Sequence, residues 1–293
     1  MAFGPYLFLA ILEGLVQASV LTVTAVGLSL VFGVMRVVNV AHGEFYMLGA
    51  VFAWFVTSFI TGHPALGFIA ALIISPLIVG AIAFASERLV LKRLNYDPEA
   101  TIVATIGLLY ILQQSALIFF GPNAQAVEPP FYWRIRFPWF GYDGYKLFII
   151  AAAIVLMGVV WYLMKHTKAG LVMRATQLDR ETAQAFGINV DNVSAYVFAL
   201  GAMLAAVAAV LVVPIQQAHY LMGLDPLLLS FIVVIIGGLG SIQGTIIAAI
   251  IIGLSDGILS VFFSPTLAKM VSTLLVAFVL IFRPNGLFGK AER

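Results

Sequence analysis

Long apolar runs alternate with short polar connections along almost the whole chain. A helix needs about 20 consecutive apolar residues to cross the hydrocarbon core of a bilayer. Nine runs meet or approach that length, and they are residues 7–33, 42–61, 65–87, 100–120, 146–164, 193–215, 223–239, 243–263 and 266–283. Because the seventh run is short, the pattern predicts an all-α polytopic membrane protein with about nine transmembrane helices, in a range of roughly eight to ten.

The composition agrees with a chain that lies mostly in lipid. Hydrophobic residues make up 62% of it and charged residues 10%, whereas soluble domains carry about 25% charged residues. No polar segment is long enough for a separate domain, so residues 1–293 are predicted to form a single transmembrane domain. The first basic residue is Arg36, so we do not expect a cleavable signal peptide. The absence of cysteine excludes disulfides, and a formal charge of +2 is too small for a nucleic-acid surface.

The distribution of Lys and Arg predicts the orientation, because basic residues accumulate on the cytoplasmic side of a membrane. With the N-terminus outside, eleven basic residues fall at one face and three at the other. The larger group is Arg36, Arg88, Lys92, Arg93, Lys165, Lys168, Arg174, Arg180, Arg283, Lys290 and Arg293, and the smaller is Arg134, Arg136 and Lys146. The pattern therefore predicts an external N-terminus, a cytoplasmic C-terminus, a cytoplasmic loop at 165–192 and an external loop at 121–145.

The predicted cytoplasmic loop 165–192 is the longest polar stretch, and residues 178–187 within it are typical of a short capped helix. Asp179 can accept hydrogen bonds from the free N–H groups of a first turn, and Glu181 suits the positive end of the helix dipole. Gly187 can adopt the left-handed conformation that ends a helix. A helix of two turns is not stable alone in water. We therefore expect this helix to dock on the body of the protein or on a cytoplasmic partner.

Two segments, 33–49 and 237–244, interrupt the apolar pattern at or near membrane depth. Non-helical backbone is tolerated there only against protein or beside a watery cavity, and paired interruptions can mark a translocation path. In the first segment polar groups cluster around a glycine, and these residues are Asn39, His42, Gly43 and Glu44. They are candidates for a path or gate. The alternative for both segments is an ordinary tight turn at the cytoplasmic face.

Ionisable residues inside apolar runs usually pair with one another or face a cavity. Asp256 is predicted to pair with Lys269 across the hairpin of the last two spans rather than to serve a proton relay, since no chain of ionisable groups is visible. The four histidines lack metal-ligand spacing, and we recognise no catalytic or phosphate-binding motif. If the protein uses ATP, another subunit must bind it.

Several segments together resemble the LivH-type permeases of branched-chain amino acid ABC importers. The resemblance is carried by residues 27–50 with their N-x-A-H-G-E run, the loop 174–190, the Gly-Gly-Leu-Gly-Ser run at 237–241, and the tail Arg-Pro-Asn-Gly-Leu-Phe-Gly at 283–289. These segments follow the expected order along nearly the whole chain. Alanine stands at 206, 209, 248 and 249 where the family often has glycine, and Gln243 stands at a frequent proline.

The resemblance implies an ABC importer permease bundle with short broken helices in a bacterial inner membrane. Such a permease pairs with a second, homologous permease, two cytoplasmic ATPase subunits and a periplasmic or lipid-anchored substrate-binding protein. It implies no enzymatic activity and no cofactor in this chain, since ATP and Mg²⁺ belong to the ATPase subunits. The capped helix then resembles the coupling helix, whose candidate residues are Asp179, Arg180, Glu181, Thr182, Ala183, Phe186 and Gly187. Candidates for the translocation path or gate are Asn39, His42, Gly43, Glu44, Gln113 and Gln114.

Other functions remain open on the residues alone. An ion-coupled secondary transporter would need an acidic group near the midplane, for which Glu13 or Asp256 is available, but the docking helix would then have no role. A passive channel would need rings of polar residues along a pore, and the sequence does not show them. Among ABC permeases, the sequence does not separate amino acids from urea or short amides.

Overall fold

The computed structural model describes residues 3–283 and 286–288. In this part of the chain the elements are almost entirely helical. The helices are α1 Phe3–Met35, α2 His42–Phe59, α3 Pro64–Leu89, α4 Pro98–Phe120, α5 Gly144–His166, α6 Lys168–Leu178, α7 Arg180–Ala185, α8 Val190–Val212, α9 Leu224–Gly237, α10 Ile242–Phe262 and α11 Pro265–Phe282. A short 3-10 helix, Leu91–Leu94, follows α3. Pro284, Asn285 and Gly289 of the tail motif, and Lys290 and Arg293 of the predicted basic group, lie outside the described residues.

Each of the nine predicted spans corresponds to one helix, namely α1 to α5 and α8 to α11. Among the described residues, six helices are long and apolar enough to cross a membrane: α1, α3 with its 3-10 extension, α4, α5, α8 and α10. α9 is a shorter apolar helix of 14 residues, and α2 begins with the polar residues His42, Gly43 and Glu44. The prediction of an all-α polytopic fold with short broken helices is confirmed.

The core is built around α8, which packs against α1, α2 and α3. Small residues allow the close approach that lipid-embedded helices need. At the α1–α8 contact a Cβ on Gly27 would lie only 2.5 Å from the carbonyl oxygen of Gly201, so both positions require glycine. Ala206 and Ala209, where the family often has glycine, are fully buried and their methyl groups are accommodated. Gly201, Ala206 and Ala209 therefore belong to a packing surface of α8.

The outer helices present apolar side chains on the surface of the bundle. On α4, Val103 and Phe119 are well exposed, and on α5 Ile154 is exposed to a similar degree. A soluble protein would bury such residues, whereas a membrane protein exposes them to lipid.

A small antiparallel hairpin, which the sequence patterns did not predict, lies between α4 and α5. Its strands are β1 Arg134–Arg136 and β2 Gly141–Asp143. It is followed closely by Lys146, whose ammonium group donates to both carboxylate oxygens of Glu13 at 2.7 and 2.9 Å. Glu13 of α1 is thus paired, and an ion-coupled transporter could not use it without breaking this bond.

Candidate functional site

The first break folds back into the bundle. α1 ends at Met35, Arg36 adopts a positive φ of 54°, and the chain then runs without helical structure to His42. The His42 Nε2 atom lies 3.0 Å from the carbonyl oxygen of Thr24. At a rise of 1.5 Å per residue, Thr24 lies about 16 Å along α1 from the end of that helix at Met35. α2 therefore begins inside the bundle, and the alternative of a tight turn at the edge is wrong for this segment.

Hydrogen bonds fix the break in place. The Asn39 side chain accepts from the backbone N–H of Ala41 at 3.0 Å, and the backbone N–H of Val40 donates to the Thr105 hydroxyl at 3.2 Å. Glu44 is fully buried, yet neither of its carboxylate oxygens has a hydrogen-bond partner among the described residues. A buried carboxyl group without a hydrogen-bond partner costs folding free energy, most of all in its charged form.

α2 and α9 begin against each other. A Cβ on Gly43 would lie 2.7 Å from the Cβ of Leu227, and a Cβ on Gly223 would lie 2.7 Å from the carbonyl carbon of Gly43. From this contact α9 leads to Gly240, which packs beside Gly33 near the end of α1, while α2 leads to the opposite face. We call the region where α2 and α9 begin the floor. It consists of residues 39–44 and 222–224.

A cavity of about 410 Å³ adjoins the floor. Thr24, the hydrogen-bond partner of His42, lines it, and so do Met222 and Leu224, which flank Gly223. Its other polar lining comes from α1, α2 and the connection between α8 and α9, and these residues are Gln17, Tyr46, Gln216 and His219. The floor thus separates a partly polar cavity from the packed helices beyond it.

Three charged side chains line the same cavity: Asp225, Asp256 and Lys269. The Lys269 ammonium group donates to Asp225 at 2.6 Å, so the predicted pairing of Lys269 with Asp256 is wrong. The hairpin of α10 and α11 does bring Asp256 and Lys269 to one cavity, but the first turn of α9 places Asp225 nearer to the ammonium group. That proximity depends on tertiary packing between α9 and α11, which adjacency in sequence does not reveal.

The remaining path candidates lie elsewhere. Gln113 is buried on α4 and Gln114 is exposed next to it, and neither lines the cavity. Sequence reasoning missed Gln17, Gln216 and His219. Asp225 was detectable as an acidic residue at the start of an apolar run, but only the structure shows that it faces a cavity.

The capped helix of the loop 165–192 forms as predicted. α7 is preceded by Asp179, whose carboxylate accepts from the backbone N–H groups of Glu181 and Thr182 at 3.0 and 3.1 Å. The Thr182 hydroxyl also donates to it at 2.5 Å. These hydrogen bonds, with a smaller contribution from the charge of Arg36, lower the pKa of Asp179. Gly187 ends the helix with a φ of 83°.

One face of α7 is held against the turn between α3 and α4. Ala183 is buried, and the Arg180 guanidinium lies 4.4 Å from the centre of the Tyr96 ring and 3.4 Å from the Asp191 carboxylate. Burial, together with the hydrogen bond that Tyr96 donates to Glu87 at 2.5 Å, raises the pKa of Tyr96. The helix is therefore docked on the body of the protein, which is one of the two predicted modes.

The opposite face of this region is apolar and open. Phe186 is 83% exposed and Leu178 is 71% exposed. Both lie in a polar loop at the end of the bundle that also carries Arg36, Lys92 and Arg180, so lipid does not explain their exposure. A pair of this kind is suited to contact with another protein.

α6 connects this region to the second break. The Gln177 side-chain amide donates to the carbonyl oxygen of Gly240 at 2.9 Å, and a Cβ on Gly33 would lie 2.9 Å from the same amide nitrogen. The segment 237–244 is a tight turn, in which Ser241 caps α10 by accepting from the N–H of Gly244. For this second break the tight-turn alternative is correct.

Helix starts inside the bundle, beside a partly charged cavity, are features that membrane transport proteins share. The chain belongs to the family described as "Branched-chain amino acid transport system / permease component", whose model matches residues 10–280. The LivH-type resemblance is thereby confirmed.

Individual relatives extend over nearly the whole chain. The high-affinity branched-chain amino acid transport system permease protein LivH of Escherichia coli K12 is 26% identical over 310 aligned positions, covering 98% of this chain and 97% of LivH. BraD of Pseudomonas aeruginosa, which has the corresponding description, is 26% identical and covers 96% and 95%. PsaBC from Streptococcus pneumoniae in complex with Fab has a similar fold, with a TM-score of 0.50, 14% identity and coverage of 94% and 92%.

Proposed function

We propose that this chain imports branched-chain amino acids as the permease subunit of an ATP-driven transporter. The observation that carries the proposal is α7, a capped helix held firmly on one face by Ala183 and Arg180 and open on the other at Phe186. A rigid helix with an open apolar side chain is suited to receive a push from a cytoplasmic subunit. The names of LivH and BraD supply the substrate class.

We infer the partner subunits from two exposed surfaces of the chain, α7 and the cavity face. One of two cytoplasmic ATPase subunits would dock at α7 and the other on the second permease. Both would hold ATP and Mg²⁺, so that this chain needs no cofactor of its own. A second, homologous permease would cover the cavity face, where Asp225 and Lys269 are exposed. A periplasmic or lipid-anchored binding protein would deliver the amino acid from outside.

The proposed orientation places the N-terminus outside and α7 in the cytoplasm, in the inner membrane of a bacterium. Basic residues support it, since the charge of Arg36 acts on Asp179 and Lys92 lies 3.3 Å from Asp191. These contacts gather cations from α1, the α3–α4 turn and the 165–192 loop at one end of the bundle, as the positive-inside rule expects.

The mechanism that we propose is alternating access. Movement of α7 would act through α6 and Gln177 on the Gly240 turn and on the end of α1. Because α1 and α9 also form walls of the cavity, their displacement would separate the floor at Gly43 and Gly223. Such a change needs two packings of similar energy, which small-residue contacts can supply.

Reconstitution of the complete transporter tests this function. Leucine uptake into proteoliposomes is expected only with ATP and the loaded binding protein, and an ATPase-inactive partner should abolish it. Uptake driven by an ion gradient without ATP would instead establish a secondary transporter. Transport of urea or a short amide in place of leucine would keep the class of transporter and overturn the substrate.

A further inference from the structure

The charged residues of the cavity lie at one depth. At 1.5 Å per residue, Asp256 is about 21 Å from the start of α10 at Ile242, and Lys269 is about 20 Å from the end of α11 at Phe282. Asp225 pairs with Lys269 and so lies at the same level. In the proposed orientation these two helix ends are cytoplasmic, so a hydrocarbon core about 30 Å thick places the three side chains in the outer part of the membrane.

The surface that carries Asp225 and Lys269 is not suited to contact with lipid. The side chains of Asp225 and Lys269 are 65% and 54% exposed, and charged groups at such depth face either other protein or water. They also border a cavity that contains Gln17 and His219. Asp225, Asp256 and Lys269 therefore form the charged part of a cavity that is open to water, which we call the recess.

The recess contains one ammonium group, that of Lys269, and two carboxyl groups, those of Asp225 and Asp256. The ammonium group has three N–H donors and gives one to Asp225. Asp256 forms no hydrogen bond with any residue in the described part of the chain, and the charge of Lys269 acts on it only across a longer distance than on Asp225. The recess consequently offers an acceptor for a cation and spare donors for an anion, a short distance apart.

We propose that this recess is a subsite for the zwitterionic head group of an α-amino acid in transit. The Asp256 carboxylate accepts from the α-ammonium group, and Lys269 donates to the α-carboxylate while Asp225 holds it in place. An incoming ammonium group gives Asp256 the hydrogen-bond partner that this chain does not supply. The inference rests on the proposed function, and it names the residues of this chain that meet the substrate.

The rest of the cavity suits an aliphatic side chain. Val16, Val20 and Leu21 of α1 and Leu229 of α9 line it. Its volume of about 410 Å³ lies within the range of small-molecule sites, roughly 300–1,000 Å³. A charged end opposite an apolar wall matches a branched-chain amino acid, and does not match urea.

Thiol protection in the assembled transporter tests the subsite without the binding protein. The chain has no cysteine, so Val20→Cys introduces a single thiol into this chain's cavity wall. In nanodiscs, leucine should slow its alkylation, whereas 4-methylpentanoate and 3-methylbutylamine, which each lack one charged group of leucine, should not at the same concentration. Adding Asp256→Asn or Lys269→Gln should weaken protection by leucine roughly tenfold or more, the value of one charge-assisted hydrogen bond.

Controls separate head-group binding from structural damage. Glu128→Gln and Lys168→Gln remove exposed charges away from the cavity and should leave protection unchanged, and each variant must co-purify with its ATPase subunits. Equal protection by leucine and both analogues, or no protection in a transporter that imports leucine, would overturn the subsite while leaving the transport function intact. A wild-type transporter that does not import leucine would overturn the function first.

Discussion

At the scale of single residues, the floor depends on the absence of a Cβ atom at two glycines. Gly43 and Gly223 place two helix backbones in direct contact in the interior of the bundle. No other residue type fits without moving one helix, because the nearest atoms include backbone and the Cβ of Leu227 rather than flexible chain ends. The contact between the starts of α2 and α9 is therefore made mostly of main chain.

Gly43→Ala should destabilise the transporter or hold the floor open. Overpacking of this kind costs about 1–3 kcal/mol, so the melting temperature of the purified complex should fall. Gly107→Ala is the matched control, since a Cβ on that helical glycine meets nothing within 4 Å. Equal melting temperatures for the two variants and wild type would show that the contact is looser than described.

Glu44→Gln tests the floor as a gate. The carboxylate is buried without a hydrogen bond from any residue that the structure describes, so a neutral group of the same shape should fold at least as well. If the floor opens to water during transport, the change should alter the uptake rate or uncouple it from ATP hydrolysis. His42→Ala, which removes the bond to Thr24, should act in the same direction with some loss of stability. Wild-type transport by both well-assembled variants would show that this segment has a structural role only.

At the scale of elements, α7 matters because it is both rigid and exposed. Its N-cap, its left-handed end and its docking through Arg180 are all in place before any partner binds. Little order then has to be gained on contact with an ATPase, which favours tight and fast coupling.

Ala183→Pro should break α7 while the permease still inserts. The N–H of Ala183 donates to the carbonyl oxygen of Asp179 at 3.0 Å, and proline inside a helix costs about 3 kcal/mol. ATPase stimulation and uptake should both collapse at normal abundance of the permease in the membrane. Gln184→Ala, on the exposed face of the same helix, should be mild. Normal transport by Ala183→Pro would remove α7 from the mechanism.

The elements that the sequence predicts correctly are those determined by residues close together in the chain. The spans follow from runs of apolar residues, and α7 follows from Asp179 and Gly187, whose chemistry acts within a few residues. α6 and the β1–β2 hairpin were missed because their sequences carry no strong period. The Asp225–Lys269 pair and the contact of α2 with α9 join residues far apart in the chain, so no local pattern could predict them.

At the scale of the whole molecule, one end of the bundle gathers positive charge and the other carries the Glu13–Lys146 pair beside the hairpin. This asymmetry fixes the proposed orientation. Single cysteines can report it, since Asn123 and Glu99 are both exposed, one just after α4 and the other in its first turn. An impermeant thiol reagent should label Asn123→Cys in intact cells and Glu99→Cys only after permeabilisation. The reverse pattern would invert the topology and place α7 outside the cell.

The exposed pair of Asp225 and Lys269 also has a consequence for how the protein is made. A copy that has inserted but found no second permease presents both charges towards the bilayer, at a cost of several kcal/mol. Membrane proteases should recognise and degrade such an unpaired copy. Degradation of unpaired copies would then set the stoichiometry of the two proposed permeases. In a pulse-chase experiment without the partner gene, the half-life should be short, and Asp225→Leu combined with Lys269→Met should lengthen it. An unpaired copy as long-lived as the assembled subunit would mean that lipid tolerates this face.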